Sequence, residues 1–478
     1  MWKVSGWSIA VWAGAVAYVV VLSIESIADQ DAFTTGFDTA VYDQLLWLLA
    51  NGHEPFSTVV ARPMLADHFQ PGVVLLTPIY WLGLGLPGLF VAQSIGLALA
   101  APALQALARR AGASATLAAI PALLWLSCPW VASINLFEFR PTAFAPLLLI
   151  LSVIAARAGR HWLLAITVIL GLSLKEDVSL TYVMLGIVLI LEGKRRVGST
   201  LALISALWFL GASIIIEALG GSYEAFGARY AGERGDSVTD AVVWSLTHPL
   251  ETASDAATES LLGLGVLVVS TAGLAVLAPA WLLLAAPTAV YNGLSDYTAQ
   301  HYLTLHYHQG TLLGLFVAAS IGVGKLPSLR GDVRLVLAAA ATVAVGLALV
   351  AGHQVHSDSG VGIGLDPART RKLLDRVPPY VPVAASRTLL PHLSQRAEIY
   401  TLPEPFHQLD WGSSLSEAEL RERAKRVRYV VFAEGDDLRP FPTDEQDSDI
   451  PPVRPLLVNA GFVLIAEEGS VEVYARHD

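Results

Sequence analysis

The chain has 478 residues, 54% of them hydrophobic and only 15% charged, with a net charge of −11 and a mean hydropathy of +0.55. Soluble domains carry roughly 25% charged residues, so this chain cannot cover a water-facing surface along its whole length. No basic patch interleaved with aromatics occurs, which excludes nucleic acid as an expected partner. A lone cysteine, Cys128, excludes an intrachain disulfide.

The charges divide the chain. The last 127 positions, from Gly352, hold 20 Asp+Glu and 14 Lys+Arg. We therefore expect a mainly α polytopic membrane bundle over 1–351 and a small soluble α/β domain over 352–478.

In chain order, Val4 to Ile24 is longer than the ~7–15-residue core of a signal peptide and reads as a retained first helix. The loop 25–68 contains Tyr42, Leu45, Leu46, Leu48 and Leu49, an apolar face stopped by Asn51-Gly52, which predicts a helix lying on the membrane surface. The stretch 69–86 is interrupted by Pro78, Gly83 and Gly85 and reads as interfacial or re-entrant. Apolar runs of helical length recur at 88–108, 113–130, 141–156, 162–174, 178–191, 199–217, 260–277, 279–291, 309–324 and 333–351. With the first helix they make about eleven spans. Arg109/Arg110, Arg157/Arg160, Lys194/Arg195/Arg196 and Lys325/Arg330/Arg334 fall at alternate connections. The positive-inside rule then puts loops 25–68, 131–140, 218–259 and 292–308 and the tail outside the cytoplasm.

In the tail, Ala368–Val377, Ser416–Arg428 and Pro452–Ala460 read as helices. Val381–Ala385, Glu398–Leu402, Tyr429–Ala433, Phe462–Ala466 and Val471–Ala475 read as strands, with 435–452 a surface loop.

Ionisable residues beside apolar helices are costly and need a reason. Asp38, Asp43, Asp67 and His68 lie in the first outer loop, and Glu138 and Arg140 in the second. Lys175, Glu176 and Asp177 interrupt an apolar hairpin, and Asp296, His301, Tyr302, His306 and His308 lie in the late loop. All fall on one side of the expected topology, whereas solvated loop charges would scatter over both. A carboxylate there suits general-base work on a hydroxyl, and cations suit a phosphate leaving group. Each group also has a plainer reading. Asp38 would cap the surface helix, Asp43 would be structural or lie on a solvated face, and Asp67-His68 would form a turn before Pro71. Glu138 and Arg140 would pair with other helices. The spacing of the three histidines would suit a metal, but imidazoles in an aromatic loop read first as hydrogen-bonding or phosphate-contacting groups. No cofactor or metal ligand set is assigned.

The strings Phe37-Asp38-Thr39-Ala40-Val41-Tyr42-Asp43-Gln44, Asp67-His68-Phe69-Gln70-Pro71, Asn135-Leu136-Phe137-Glu138-Phe139-Arg140-Pro141 and Leu174-Lys175-Glu176-Asp177-Val178 resemble the domain-of-unknown-function 2079 family of prokaryotic membrane proteins. His301-Tyr302 and the tail strings Val383-Ala384-Ala385-Ser386 and Pro391-His392-Leu393 fit as well. That family is similar in layout to the GT-C glycosyltransferases, such as protein mannosyltransferases and aminoarabinose transferases. The resemblance implies a GT-C-like bundle, a polyprenyl-phosphate sugar as donor, and transfer with inversion to an acceptor outside the cytoplasm. It implies Asp38 as base and Asp67 as a second acid or acceptor-positioning group. Asp43, His68, Glu138, Arg140, Lys175, Glu176, His301 and Tyr302 would then contact substrate. Thr39 stands where the mannosyltransferases have Glu, and His68 where Lys is usual. The competing reading is a transporter or flippase of lipid-linked envelope precursors.

Overall fold

The computed structural model describes residues 5–221, 229–230, 234, 238–328, 363–408, 415–436, 438 and 450–477. The expected span at 333–351, residues Arg330 and Arg334, and parts of the 218–259 and 435–452 loops lie outside the described residues.

Helix α1 (Gly6–Asp31) begins at Ser5, whose side chain accepts from the Ser8 N–H. Its 26 residues rise about 39 Å, more than the ~30 Å of a bilayer core. Val11, Ala15, Tyr18 and Leu22 form the stripe that faces the bundle, while Trp12, Val16, Val20 and Ile24 are exposed. An exposed apolar face of this length is stable against lipid and costly against water. Gly85–Arg110, Arg195–Ala218 and His306–Leu326 are also long and apolar enough to cross. Ala115–Ser127 with Pro129–Phe137, and the helices within Pro249–Ser270, are bent pairs that add two further spans if each counts as one. Shorter apolar helices cover Pro141–Arg157, His161–Leu172 and Val178–Leu191.

Two expectations change. The run 279–291 is not one helix: short 3₁₀ turns at Leu274–Leu277 and Pro279–Leu284 precede a nine-residue helix, Ala286–Leu294. Gly273 at φ +68° and Pro279 break the ladder there. The expected loop 131–140 begins as helix, Pro129–Phe137. The segment Pro71–Trp81 is only about 16 Å of helix, half a bilayer core. It is seated by Gly72, whose N–H donates to Ser173 O at 2.8 Å. A Cβ on Gly72 would stand 2.3 Å from Ser173 Oγ.

Helix α2 (Phe37–Ala50) lies on the next layer. After it come a two-residue hairpin, β1 (Phe56–Ser57) and β2 (Arg62–Pro63), and the tail sheet. That sheet comprises β3 (Val383–Ala385), β4 (Ile399–Thr401), β5 (Tyr429–Ala433), β6 (Phe462–Glu468) and β7 (Val471–Arg476). Its order is β4-β3-β5-β7-β6, with β3 parallel to β4 and β5 and the β6-β7 hairpin antiparallel. Alternation puts Val383 and Ala385 on one face and Ala384 on the other. The first face packs on Phe33, Phe37, Ala40 and Val41 of the first loop and α2. The second packs on Leu457 and Val453. The tail helix Glu417–Arg426 opens on a capping box, Ser416 with Glu419. The sheet thus holds α2 between itself and the bundle.

Candidate active site

Four distant segments meet at one cavity of about 780 Å³, open mouth included. Its walls include Arg140, Lys175, His68, Asp177 and His306 together with Leu149, Val178 and Leu313.

Residues 138–140 follow a helix end in extended backbone, Glu138 at φ −162° and Arg140 at φ −145°. Residues two apart in such a strand project to the same side, and both reach α2. Gln93 fixes the loop: its amide donates to the carbonyls of Asn135 and Glu138 and accepts from the Arg140 N–H at 2.7 Å. Arg140 donates to the Asp38 carboxylate, and its Nε is buried without a partner among the described residues. Glu138 is 1% exposed and accepts from the Thr39 N–H at 2.6 Å. Burial and the nearby Asp38 raise the Glu138 carboxyl to about 7, against the pull of Arg387 and Arg140. Asp38 does not cap α2. The cap position is Gly36, and Asp38 sits in the first turn with its carboxylate turned to Arg140.

The turn between the helices His161–Leu172 and Val178–Leu191 delivers the second group. His68 Nδ1–H donates to Glu176 Oε1 at 2.9 Å, and the Phe69 N–H to Oε2 at 2.9 Å. Burial would raise Glu176, but His68 and Lys175 overcome it and hold the carboxyl down to about 2. An ionised carboxylate only accepts, which fixes the proton of this imidazole on Nδ1. Lys175 Nζ lies 3.4 Å from Asp177 Oδ2, which also accepts from the Tyr291 hydroxyl at 3.3 Å. Burial pulls the Lys175 ammonium down, yet Asp177 and Glu176 outweigh it and leave it above its ordinary range.

Among the sequence candidates, His68, Arg140 and Lys175 line the cavity, and Asp38, Glu138 and Glu176 bond to what lines it or to its supports. The others stand elsewhere. Asp67 closes a four-residue helix and pairs with Arg62 at 3.2 Å. Asp43 is 1% exposed and accepts from Tyr80, Ser394 and Gln395, which fits the structural of its two plainer readings and not the solvated one. His301 ends a 3₁₀ turn and Tyr302 is 53% exposed, and neither lines the cavity. The late loop contributes His306 and Tyr307 instead. His306 stacks on Phe137 with centroids 5.7 Å apart. Tyr42, expected on the apolar face of its helix, also lines the cavity, as do Tyr291 and Tyr307, which the sequence does not single out. Arg387, close to Glu138, carried no signal beyond its place beside the Val383–Ser386 string.

The sequence profile of the DUF2079 family, described as predicted membrane proteins, matches residues 30–447. The chain belongs to the DUF2079 family. Among solved structures this DUF2079 protein is similar to ArnT from Cupriavidus metallidurans bound to undecaprenyl phosphate. The TM-score is 0.55 at 13% identity, over 96% of this chain and 97% of that one. The likeness shows that the polytopic GT-C-like fold is shared end to end. No curated protein matches the chain.

Proposed function

We propose that this DUF2079 protein is an inverting glycosyltransferase that moves a sugar from a polyprenyl-phosphate donor to a hydroxyl acceptor outside the cytoplasm. The observation that carries the reading is a single cavity holding Arg140, Lys175 and His68 beside Leu149, Val178 and Leu313. A lipid phosphate needs both: charge-assisted hydrogen bonds for its head and apolar wall for its chain. The fold shared with ArnT, whose structure holds undecaprenyl phosphate, supports a ligand of this class. The alternation of basic loops supports an outward-facing site, with the soluble unit of 352–478 on the same side.

In the proposed reaction the acceptor oxygen bonds to the anomeric carbon from the face opposite the phosphate. The bond from that carbon to the phosphate oxygen breaks, its electron pair leaving with the polyprenyl phosphate. The acceptor proton passes to Asp38. Arg140 and Lys175 stabilise the charge that develops on the leaving phosphate. Arg140 is shared between the cavity and Asp38, so a phosphate in the cavity competes for it and loosens its hold on the base. Donor binding thereby prepares Asp38 for the acceptor. Asp67, engaged by Arg62, serves as a support for the loop that carries His68.

Purified protein incubated with a panel of labelled polyprenyl-phosphate sugars tests this, wild type beside Asp38→Asn. General-base catalysis contributes about 10²–10⁴-fold, so the variant should lose at least a hundredfold. Undiminished transfer by Asp38→Asn removes Asp38 from its role. Binding and vesicle translocation of the lipid without transfer from any donor would replace the enzyme with a flippase.

A further inference from the structure

Between β3 and β4 the chain leaves the sheet and lies along α2. His392 stacks on Phe33 with ring centroids 3.8 Å apart. Ser394 donates to Asp43, and so does the Gln395 amide, at 3.1 Å. Thr58, in the hairpin that follows α2, donates to the Ile399 carbonyl at 2.6 Å. The loop thus grips the entry to α2 and its middle. At its start stands Arg387. A Cβ built on Gly36 would lie 3.4 Å from Arg387 Nε and 3.5 Å from Glu138 Oε1. The guanidinium and the carboxylate therefore flank Gly36, two residues before Asp38. Both of those atoms are buried, and neither has a hydrogen-bond partner among the described residues. Opposite charges in these positions attract strongly because little water screens them.

Glu138 has one other oxygen, and that one accepts from the Thr39 N–H in the first turn of α2. A carboxylate makes this bond stronger than a neutral acid would, and negative charge is favoured at a helix N-terminus. We infer that the 386–396 loop is part of the reacting site, with Arg387 a positioning residue that holds Glu138 against the first turn of α2 and thereby sets Asp38. The inference rests on the proposed transfer reaction for its consequence, but not for its geometry. The tail sheet is then a component of the site rather than an appendage.

The charged groups acting on Glu138 are Asp38 from α2, Arg140 from its own loop and Arg387 from the tail loop. Removing Arg387 leaves two of these and makes the proton harder to remove from Glu138. Full-length protein in nanodiscs is compared as wild type, Arg387→Gln and Arg387→Lys, with hydrogen exchange of the peptide containing Thr39 followed from pH 6 to 9. Arg387→Gln should raise exchange at pH 7 about tenfold once corrected for the intrinsic pH dependence. It should also move the pH at which protection sets in upward by about one unit. Arg387→Lys should restore both. In transfer assays Arg387→Gln should lower kcat with donor KM unchanged, and its acid limb should move with the exchange curve. Equal exchange in all three proteins overturns the inference, as does a loss that Lys fails to rescue. If wild type transfers from no donor, the transfer reading fails alone, and the exchange curves still decide the role of Arg387.

Discussion

Lys175 offers the sharpest test of the phosphate reading. Its ammonium lines the cavity and lies 3.4 Å from Asp177, which has Tyr291 as its other partner. Lys175→Met should remove a charged hydrogen bond to the phosphate, worth about 1.5–3 kcal/mol, or roughly 10- to 150-fold in Kd. It also strands the Asp177 carboxylate in the cavity wall. Two like charges about 6 Å apart at an effective dielectric of about 20 repel by roughly 3 kcal/mol, so the total loss should exceed a hundredfold. Asp177→Asn in the same background removes the stranded charge and should recover about tenfold or more. Binding of polyprenyl phosphate would be measured in nanodiscs for wild type, both single variants and the double variant, at low and high salt. A Lys175→Met Kd within threefold of wild type would refute the placement of the phosphate. Strictly additive variants, with coupling below about 0.5 kcal/mol, would refute the claim that Lys175 neutralises Asp177.

Two further outcomes follow from the packing and titration of named groups. Glu138 has its folded carboxyl raised from 4.5 to about 7, so the folded state binds this proton more tightly than the unfolded one. The resulting stability is present below about 4.5 and is lost as pH rises through 7. Glu138→Gln should therefore flatten the fall in melting temperature between pH 5 and 8. An unchanged slope would show that Glu138 does not titrate there. Gly186 and Gly198 let the helices Val178–Leu191 and Arg195–Ala218 touch backbone to backbone, since a Cβ on Gly186 would lie 2.6 Å from Gly198 O. Gly186→Leu should cost about 1–3 kcal/mol or more, seen as a lower melting temperature in detergent; an unaltered melt would mean the pair is looser than described.

The legibility of the chain follows the kind of signal each part carries. In the tail short apolar runs are separated by charged, Pro- and Gly-containing stretches, so its strands and helices are readable close to their true ends: Tyr429–Ala433 is β5 as expected, and Ser416 starts its helix with Glu419. The membrane bundle gives hydropathy without phase. Over 274–294 nearly every residue is apolar, so a broken series of turns looks like a span. Only Gly273 and the prolines at 279 and 287 pointed to the breaks, and such residues are also tolerated within membrane helices.

The site divides along a different line. Ionisable residues beside apolar runs single out loops because burying charge needs a partner, and the fold brings the segments around 38, 140, 175 and 306 together. Which residue within a loop points inward depends on backbone direction. His68 is extended, at φ −137° and ψ 142°, so neighbours along it face opposite ways. That sends Asp67 to Arg62 and His68 to Glu176. The same ambiguity separates His301 from His306, since His301 ends one 3₁₀ turn and His306 begins another. Asp43 shows a further limit. Its helical position leaves a structural and a wet role open, and what decides is that its partners Ser394 and Gln395 come from some 350 residues away, on a loop whose docking no local pattern encodes. Arg387 belongs to that loop. A residue that works by reaching a distant helix leaves no mark in its own neighbourhood, so the geometry of the assembled chain is what brings it into the argument.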